Sequence, residues 1–415
     1  MTQQLTQGYY HVLNGKNGLG KTYFLAELSK ETLDNFVTNS KNENPLCPFN
    51  VTNMICLSGI AFDKFPYYVN FKEKVGNDTE LLLKYCYCGY TTNNNMSTEI
   101  IPFRTVLDIT AHQYRDLNNK KLEKELIEKL RKRFEFLLEY LEDIDFKPEF
   151  TIKIGKSSTK QIMEEDYTIG PYRKKDQNSE TQIRNLNTQI KKLINDINKE
   201  VRNNLKDIIF HKDNDKYCLT KKENFRNLSS GQYQIIRCIF SLVLTTTPDS
   251  LVIYDEPEIS LHPEWQSKII KILMKIIETE DLGNDSASNK HATVVIATHS
   301  PLITSSFSTS KIKISSYDSN DNSFKWDDQQ YYGWDTNNLL TEHFNLKSAR
   351  NQEFINKIND LLKSFQDRED DKLKEEYKKL ELLLWNENTD DFSLSVKDPL
   401  YGTLHAIKAY VETIE

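Results

Sequence analysis

The sequence predicts an α/β fold that is interrupted by a helical insertion and followed by a mostly helical C-terminal segment. Three observations carry this. A glycine-rich stretch stands between a predicted strand and a predicted helix near the N-terminus, α/β texture resumes at Asn227 and lasts to about Ile314, and long stretches of three-and-four apolar spacing lie between the two. The predicted organisation is a head formed by residues 1–100 and 227–315, an insertion over 101–226 and a C-terminal region over 316–415.

The elements follow in order. Tyr9–Leu13 reads as a short strand running into Gly15–Gly20, and Thr22–Ser29 carries helix-compatible residues. Asn50–Leu57 and Leu81–Tyr90 read as further strands, the second ending in an Asn- and Thr-rich loop at Thr91–Asn95. Leu122, Leu126, Leu130, Phe134, Leu137 and Leu141 recur three or four apart, which gives a helix with one apolar face. Ile183, Leu186, Ile190, Leu193, Ile197, Val201, Leu205 and Ile208 repeat that pattern. Gly155–Glu180 between them is polar, with Gly170-Pro171 as a breaker, so a helical pair packed face to face is expected, each arm about 45 Å at about 1.5 Å per residue. In the resumed part, a helix runs from Ser229 through Leu244, and Ser250–Tyr254 and Val294–Ala297 read as buried strands. From Asp335 onward, helix patterns over Asn351–Phe365, Asp370–Trp385 and Pro399–Thr413 are separated by breaks at Asn386–Thr389 and Asp398-Pro399.

Composition narrows the function classes. With 38% hydrophobic residues over 415 positions, the chain can fill ordinary cores, which excludes disorder as the main state. Its 61 acids against 54 bases argue against coating DNA or membranes by bulk charge. Residues 151–226 are locally basic, with 17 Lys and Arg against 11 acids; Arg173-Lys174-Lys175 and Lys191-Lys192 suit either a nucleic-acid contact or a solvated helical face. No apolar run approaches the roughly 20 residues of a bilayer span, and MTQQLTQGYYHV lacks the pattern of a secretory leader, so a cytoplasmic location without membrane contact is expected. The six cysteines lack metal-ligand spacing, and Cys86 and Cys88 read as alternate residues of a strand. Asp318, Asp321, Asp327 and Asp328 read as a solvated loop, leaving no second catalytic constellation after Ile314.

The chemistry concentrates in ordered motifs. Gly15-Lys16-Asn17-Gly18-Leu19-Gly20-Lys21-Thr22 satisfies GxxxxGK[ST] in a strand–loop–helix context. The glycines let the backbone curl so that N–H groups face phosphate oxygens, with the following helix N-terminus adding a favourable dipole. Lys21 is then the phosphate-neutralising cation, Thr22 a Mg²⁺ ligand, and Tyr23 the adjoining residue of an ATP site. The strand ending in Asp255-Glu256 delivers two acids to its carboxyl end, Asp255 for Mg²⁺ and Glu256 as general base for water.

Leu228-Ser229-Ser230-Gly231-Gln232, the glycine loop and Asp255-Glu256-Pro257-Glu258 together resemble the ATP-binding cassette ATPases, with Thr298-His299-Ser300-Pro301 resembling their switch-histidine loop. DEPExxLHPxxQ from Asp255 to Gln266 looks like the soluble RecF-like and OLD-like branch, related to chromosome-maintenance ATPases, many of its members serving bacterial defence. The resemblance covers most of residues 8–310. It implies an ATPase head with a lid insertion, and a head-to-tail dimer in which Ser229, Gly231 and Gln232 of one copy close over ATP held by the other. It also implies that His299 senses the γ-phosphate. The chain departs from the family where no glutamine follows Tyr85–Tyr90 and where His262 replaces an aspartate. Ser58–Pro66 is similar to a stretch of the defence subgroup and reads as a core strand plus turn. The implied function is a conformational switch in antiphage defence, similar to Septu-like or PARIS-like systems, that controls a separate nuclease or toxin. A DNA-repair or chromosome-maintenance ATPase is the alternative, and a transporter subunit fits the DEPExxLHP stretch least.

Overall fold

The computed structural model describes residues 4–15, 18–38, 46–60, 63–66, 74–76, 81, 84–88, 120–144, 146–157, 162–171, 180–200, 205–212, 215–218, 229–278, 291–318, 323–343, 350–386, 391–394 and 398–414. They fall into two compact units, Met1–Trp334 and Asp335–Glu415.

The first unit is built on a seven-stranded sheet. Its strands are β1 (Tyr10–Leu13), β2 (Asn53–Ser58), β3 (Tyr85–Cys88), β8 (Ser250–Asp255), β9 (Thr293–Ala297), β10 (Ile312–Asp318) and β11 (Ser323–Asp327), in the order β11-β10-β1-β9-β8-β2-β3. All pair in parallel except β11, which folds back on β10. The inner strands read YHVL, SLVIYD and TVVIA and are buried along their whole length, as expected for parallel strands covered on both faces. Helix α1 (Lys21–Thr38) lies against β2, β8 and β9, packing Phe24, Leu25 and Leu28 into a core with Leu13, Met54, Leu251 and Val295. Helix α4 (Ser230–Thr245) packs on β2, β3 and helix α5 (Pro263–Glu278), and is buried on every side from Gln234 to Thr245. Because β1, β9 and β8 are adjacent and parallel, their carboxyl ends meet along one edge of the sheet, the place where open α/β folds hold ligands.

The insertion differs from a plain helical pair. Helices α2 (Lys120–Asp143) and α3 (Glu180–Glu200) are present, about 36 Å and 32 Å long at about 1.5 Å per residue, and they pack on each other. Between and after them lies a four-stranded antiparallel sheet in the order β5-β4-β6-β7: β4 (Phe150–Ser157), β5 (Ile162–Ile169), β6 (Leu205–Lys212) and β7 (Asp215–Cys218). Leu205 and Ile208, expected on the second helix, belong to β6; LKDIIFHK holds β-branched residues that pair across to β4, and pairing overrides helical spacing. Phe150 and Ile152 alternate with Thr151 and Lys153 at a period of two, a strand signal that stands just ahead of the polar stretch Gly155–Glu180 and carries β4 into it.

This insertion rests on α4. The buried guanidinium of Arg133 on α2 donates to the carbonyls of Val243 (2.8 Å), Leu244 (2.7 Å) and Thr246 (2.7 Å), capping the C-terminal end of α4. Phe240 of α4 stacks edge-on against Phe150 and Phe210, with ring centroids 5.4 and 4.9 Å away.

The α/β unit also extends past Ile314. Asp318 and Asp327 sit in the β10–β11 hairpin rather than in a loop, and Asp328 pairs with Lys313 at 3.1 Å; Asp321 lies outside the described residues. In the second unit, helices α6 (Gln352–Gln366), α7 (Asp370–Leu384) and α8 (Pro399–Ile414) bury Leu361, Leu373, Leu380, Leu404, Ile407 and Val411 in a core of their own.

Candidate functional site

The carboxyl end of β1 turns into the glycine loop because only glycine tolerates its backbone. Gly15, Gly18 and Gly20 have φ of 134°, 85° and 84°, and a Cβ on Gly15 would meet Leu19 Cδ1 at 2.6 Å. Lys16 and Asn17 lie outside the described residues. The loop ends where α1 begins, with the Phe24 amide donating to Gly20 O at 2.9 Å. Lys21, in the first turn, is 5% exposed and donates to Gly15 O at 2.9 Å. Burial holds its ammonium below the usual lysine range, with Glu256, Asp255 and Glu258 pulling the other way.

From β8, Asp255 reaches the same place. Thr22 Oγ1 donates to Asp255 Oδ1 at 3.3 Å, while Asp255 Oδ2 is buried with no hydrogen-bond partner. Burial pushes the Asp255 carboxyl up to about 7, the Thr22 hydrogen bond opposes this, and Glu256 and Asp63 add to the rise. An orphaned carboxylate oxygen beside a threonine hydroxyl is a donor set of hard oxygens, which fits Mg²⁺. Glu256 follows at φ 51°, a left-handed backbone that is costly for a side-chain-bearing residue, held by its amide donating to Ala297 O at 2.8 Å.

β9 supplies the third side. His299 Nε2 lies 2.8 Å from Lys21 Nζ and 3.1 Å from Glu256 Oε1. One ring nitrogen can accept from the ammonium or donate to the carboxylate, not both at once, so the three groups form an exchangeable set where a phosphate oxygen could compete.

The remaining expected residues lie elsewhere. Tyr23 is 58% exposed on α1, with its hydroxyl toward Glu27. Ser229 is the N-cap of α4; its hydroxyl accepts from the Gln232 amide and the Gln232 side chain accepts from the Ser229 amide, each at 3.2 Å. Gly231 faces the loop that follows β8, where a Cβ would meet Ser260 O at 2.9 Å. Among the described residues, Ser229, Gly231 and Gln232 make no hydrogen bond to Gly15–Thr22 of their own chain. Leu228 and Arg173–Lys175 lie outside the described residues. Lys192 of the basic stretch pairs with Glu165 at 3.3 Å and lies over the Tyr167 ring at 5.2 Å.

Sequence reasoning missed three residues near this edge. Asp63, within the stretch read as strand plus turn, is 6% exposed and accepts from Tyr87 OH at 2.8 Å and the Phe65 amide at 3.3 Å. Burial holds its carboxyl above the usual range. Glu258 accepts from the His299 amide at 2.6 Å, and Gln266 accepts from Ser300 Oγ at 2.7 Å. An acid set in an otherwise apolar run was the available signal for Asp63. Cys86 and Cys88 are buried neighbours on β3, with Cys88 donating to Ser241 Oγ at 2.9 Å.

Residues 172–305 match the family model described as AAA domain, putative AbiEii toxin, Type IV TA system. That span carries Ser229, Asp255, Glu256 and His299 and leaves out the glycine loop. The chain is also 25% identical over 144 residues to Septu protein PtuA of Bacillus thuringiensis, covering 34% of this chain and 33% of that protein. It thus spans about a third of the length of the curated relative it matches. The chain is thus similar in part to an AAA domain family and to a Septu protein.

Proposed function

We propose that this protein binds and hydrolyses Mg-ATP at the carboxyl edge of β1, β9 and β8, and that two copies arranged head to tail use this cycle as a switch over a separate nuclease or toxin chain in antiphage defence. The observation that carries the ATPase reading is the convergence of Lys21, Thr22, Asp255, Glu256 and His299, brought together past the carboxyl ends of three strands in contacts of 3.3 Å or less. The likeness to a Septu protein and to a toxin–antitoxin family model supports the defence setting.

In this reading the glycine-loop amides and Lys21 hold the phosphates. Thr22 and Asp255 would hold Mg²⁺, which would supply neutralising charge to the phosphates. Glu256 orients water and takes its proton. His299, released from Lys21 and Glu256, donates to the γ-phosphate. Ser229 and Gly231 of a second copy cover the far side, their helix N-terminus facing the same anion.

Purifying a tagged Glu256→Gln protein from its native host with Mg²⁺ and ATP tests the whole reading. Dimers that carry a nuclease or toxin chain are expected. Co-purifying nucleic acid alone would favour a DNA-repair role, and a membrane subunit a transporter role.

A further inference from the structure

Two residues of the DEPExxLHPxxQ stretch have no part in the chemistry above. They are Glu258 and Gln266, and both end at the turn that follows β9. Glu258 Oε1 accepts from the His299 amide at 2.6 Å, and Gln266 Oε1 accepts from Ser300 Oγ at 2.7 Å. The other end of Gln266 is itself fixed, Nε2 donating to Leu261 O at 3.1 Å. The turn is closed from within by the Ser300 amide donating to Thr298 Oγ1 at 2.9 Å and by Ser300 Oγ accepting from the Ile303 amide at 3.3 Å.

The same loop has a second attachment. Gln234 of α4 donates to Pro257 O at 3.0 Å, and Gly231 at the tip of α4 lies against Ser260, with no room for a Cβ. Ser260, like Glu256, holds a left-handed backbone, at φ 64°. A loop with two such residues keeps its shape only while its surroundings impose it. Here those surroundings are α4 on one side and the His299 turn on the other.

We propose that Glu258 and Gln266 are positioning residues, a two-point clamp on the His299–Ser300 turn that makes the reach of the His299 ring toward Lys21 and Glu256 depend on how the tip of α4 is seated. This rests on the reading of His299 as a group that meets the γ-phosphate. It deepens that reading by giving the tip of α4 a path to His299 through Pro257–Gln266, without passing through the nucleotide. A misplacement of about 1 Å at such a group can cost about a hundredfold in rate, so two short hydrogen bonds, one from its own amide and one from the hydroxyl of the next residue, are enough to matter.

The test uses the full chain with Glu258→Ala, Glu258→Gln, Gln266→Ala, His299→Ala and the Glu258→Ala/His299→Ala pair. Two readouts are needed: steady-state ATPase with equilibrium ATP binding, and the ring resonances of His299 in ¹³C-histidine-labelled protein without nucleotide. Glu258→Ala should lower kcat about tenfold or more and leave ATP affinity within about threefold. Glu258→Gln keeps an acceptor oxygen and should recover most of the loss. Glu258→Ala and Gln266→Ala should each shift or broaden the His299 signal, and the double variant should be no slower than His299→Ala alone. An unmoved His299 signal in Glu258→Ala, or losses that multiply in the double variant, overturns the clamp. Full turnover in His299→Ala overturns the reading of His299 and the clamp's role in turnover with it, and that result is distinguishable because the shift of the His299 resonance in Glu258→Ala and Gln266→Ala would still be seen.

Discussion

The two halves of the proposed ATP site are built in opposite ways. The edge formed by β1, β9 and β8 buries Lys21 and Asp255, half-buries Glu256 and His299, and makes them lean on one another across the strand ends: Thr22 on Asp255, Lys21 on His299, His299 on Glu256. The tip of α4 is exposed and spends its side chains on itself, Ser229 and Gln232 closing a capping box. Among the described residues no hydrogen bond ties the amides of Ser230 or Gly231 to the rest of the chain. A half whose groups are gathered by strand order is preorganised within one protomer. A helix tip whose first amides carry no hydrogen bond among the described residues is suited to an anion brought from outside.

If the division holds, substitutions on the buried edge should act inside one protomer. The largest effect is expected for Glu256→Gln: turnover falls about 10²- to 10⁴-fold while ATP binding persists, as measured by phosphate release and equilibrium binding. Lys21→Ala should instead weaken binding by about a hundredfold, because the buried cation that the proposed site turns toward the phosphates is gone. Equal loss of binding in both variants would erase the distinction between holding the phosphates and activating water. A third substitution strikes the scaffold beneath them. Gly59 packs so closely that a Cβ would meet Glu256 O at 2.0 Å, so Gly59→Ala should cost about 1–3 kcal/mol of stability in thermal unfolding and displace Glu256 as well.

The buried edge was the more legible half, for a physical reason. Parallel strands covered on both faces give short, continuous apolar runs, and a glycine-rich or acidic stretch directly after such a run stands out, as Gly15–Thr22 and Asp255-Glu256 do. The three C-terminal helices were legible from spacing and breakers, their ends falling within a residue or two of those expected. The second sheet was hidden because β5 reads IMEEDYTI, with its acids on an edge strand, and because the apolar residues of β6 continue the helical spacing of α3. Asp63, Glu258 and Gln266 escaped for another reason: their partners Tyr87, His299 and Ser300 are 24, 41 and 34 positions away, and only the strand order brings them together.

Asp255 offers a pH-dependent test of the buried edge. Its carboxyl is pushed up to about 7 mainly by burial, so the protein without nucleotide carries it protonated below that pH, and binding Mg²⁺ must release the proton. Mg²⁺-dependent ATP affinity should therefore strengthen about tenfold per pH unit from pH 5 to 7 and level off above, as read by titration calorimetry in buffers of different ionisation heat. Stability without metal runs the other way. The folded state binds the proton more tightly than the unfolded chain, whose value is 3.8, so stability falls as pH rises from about 4 to 7 and is flat beyond. Affinity that is level across pH 5–7 would place the metal away from Asp255.

The smallest stability change falls on the exposed tip, where it separates two roles of one side chain. Ser229 is an N-cap, and replacing such a serine by alanine costs about 1 kcal/mol, whereas glycine costs only a few tenths because it leaves the amides open to water. Ser229→Gly should therefore leave the melting temperature nearly unchanged while removing the hydroxyl. If that hydroxyl serves only the helix, ATPase activity and ATP-dependent dimerisation will both survive. If it closes over a phosphate held by another copy, turnover should drop and the dimer seen with Glu256→Gln should dissociate, with ATP binding to the single protomer intact. Mixing Ser229→Gly with Lys21→Ala sharpens this further, since each protein lacks a different half and a mixed pair contains one site with both halves whole. Partial recovery of turnover on mixing can arise only if the tip and the cradle of one working site belong to different chains.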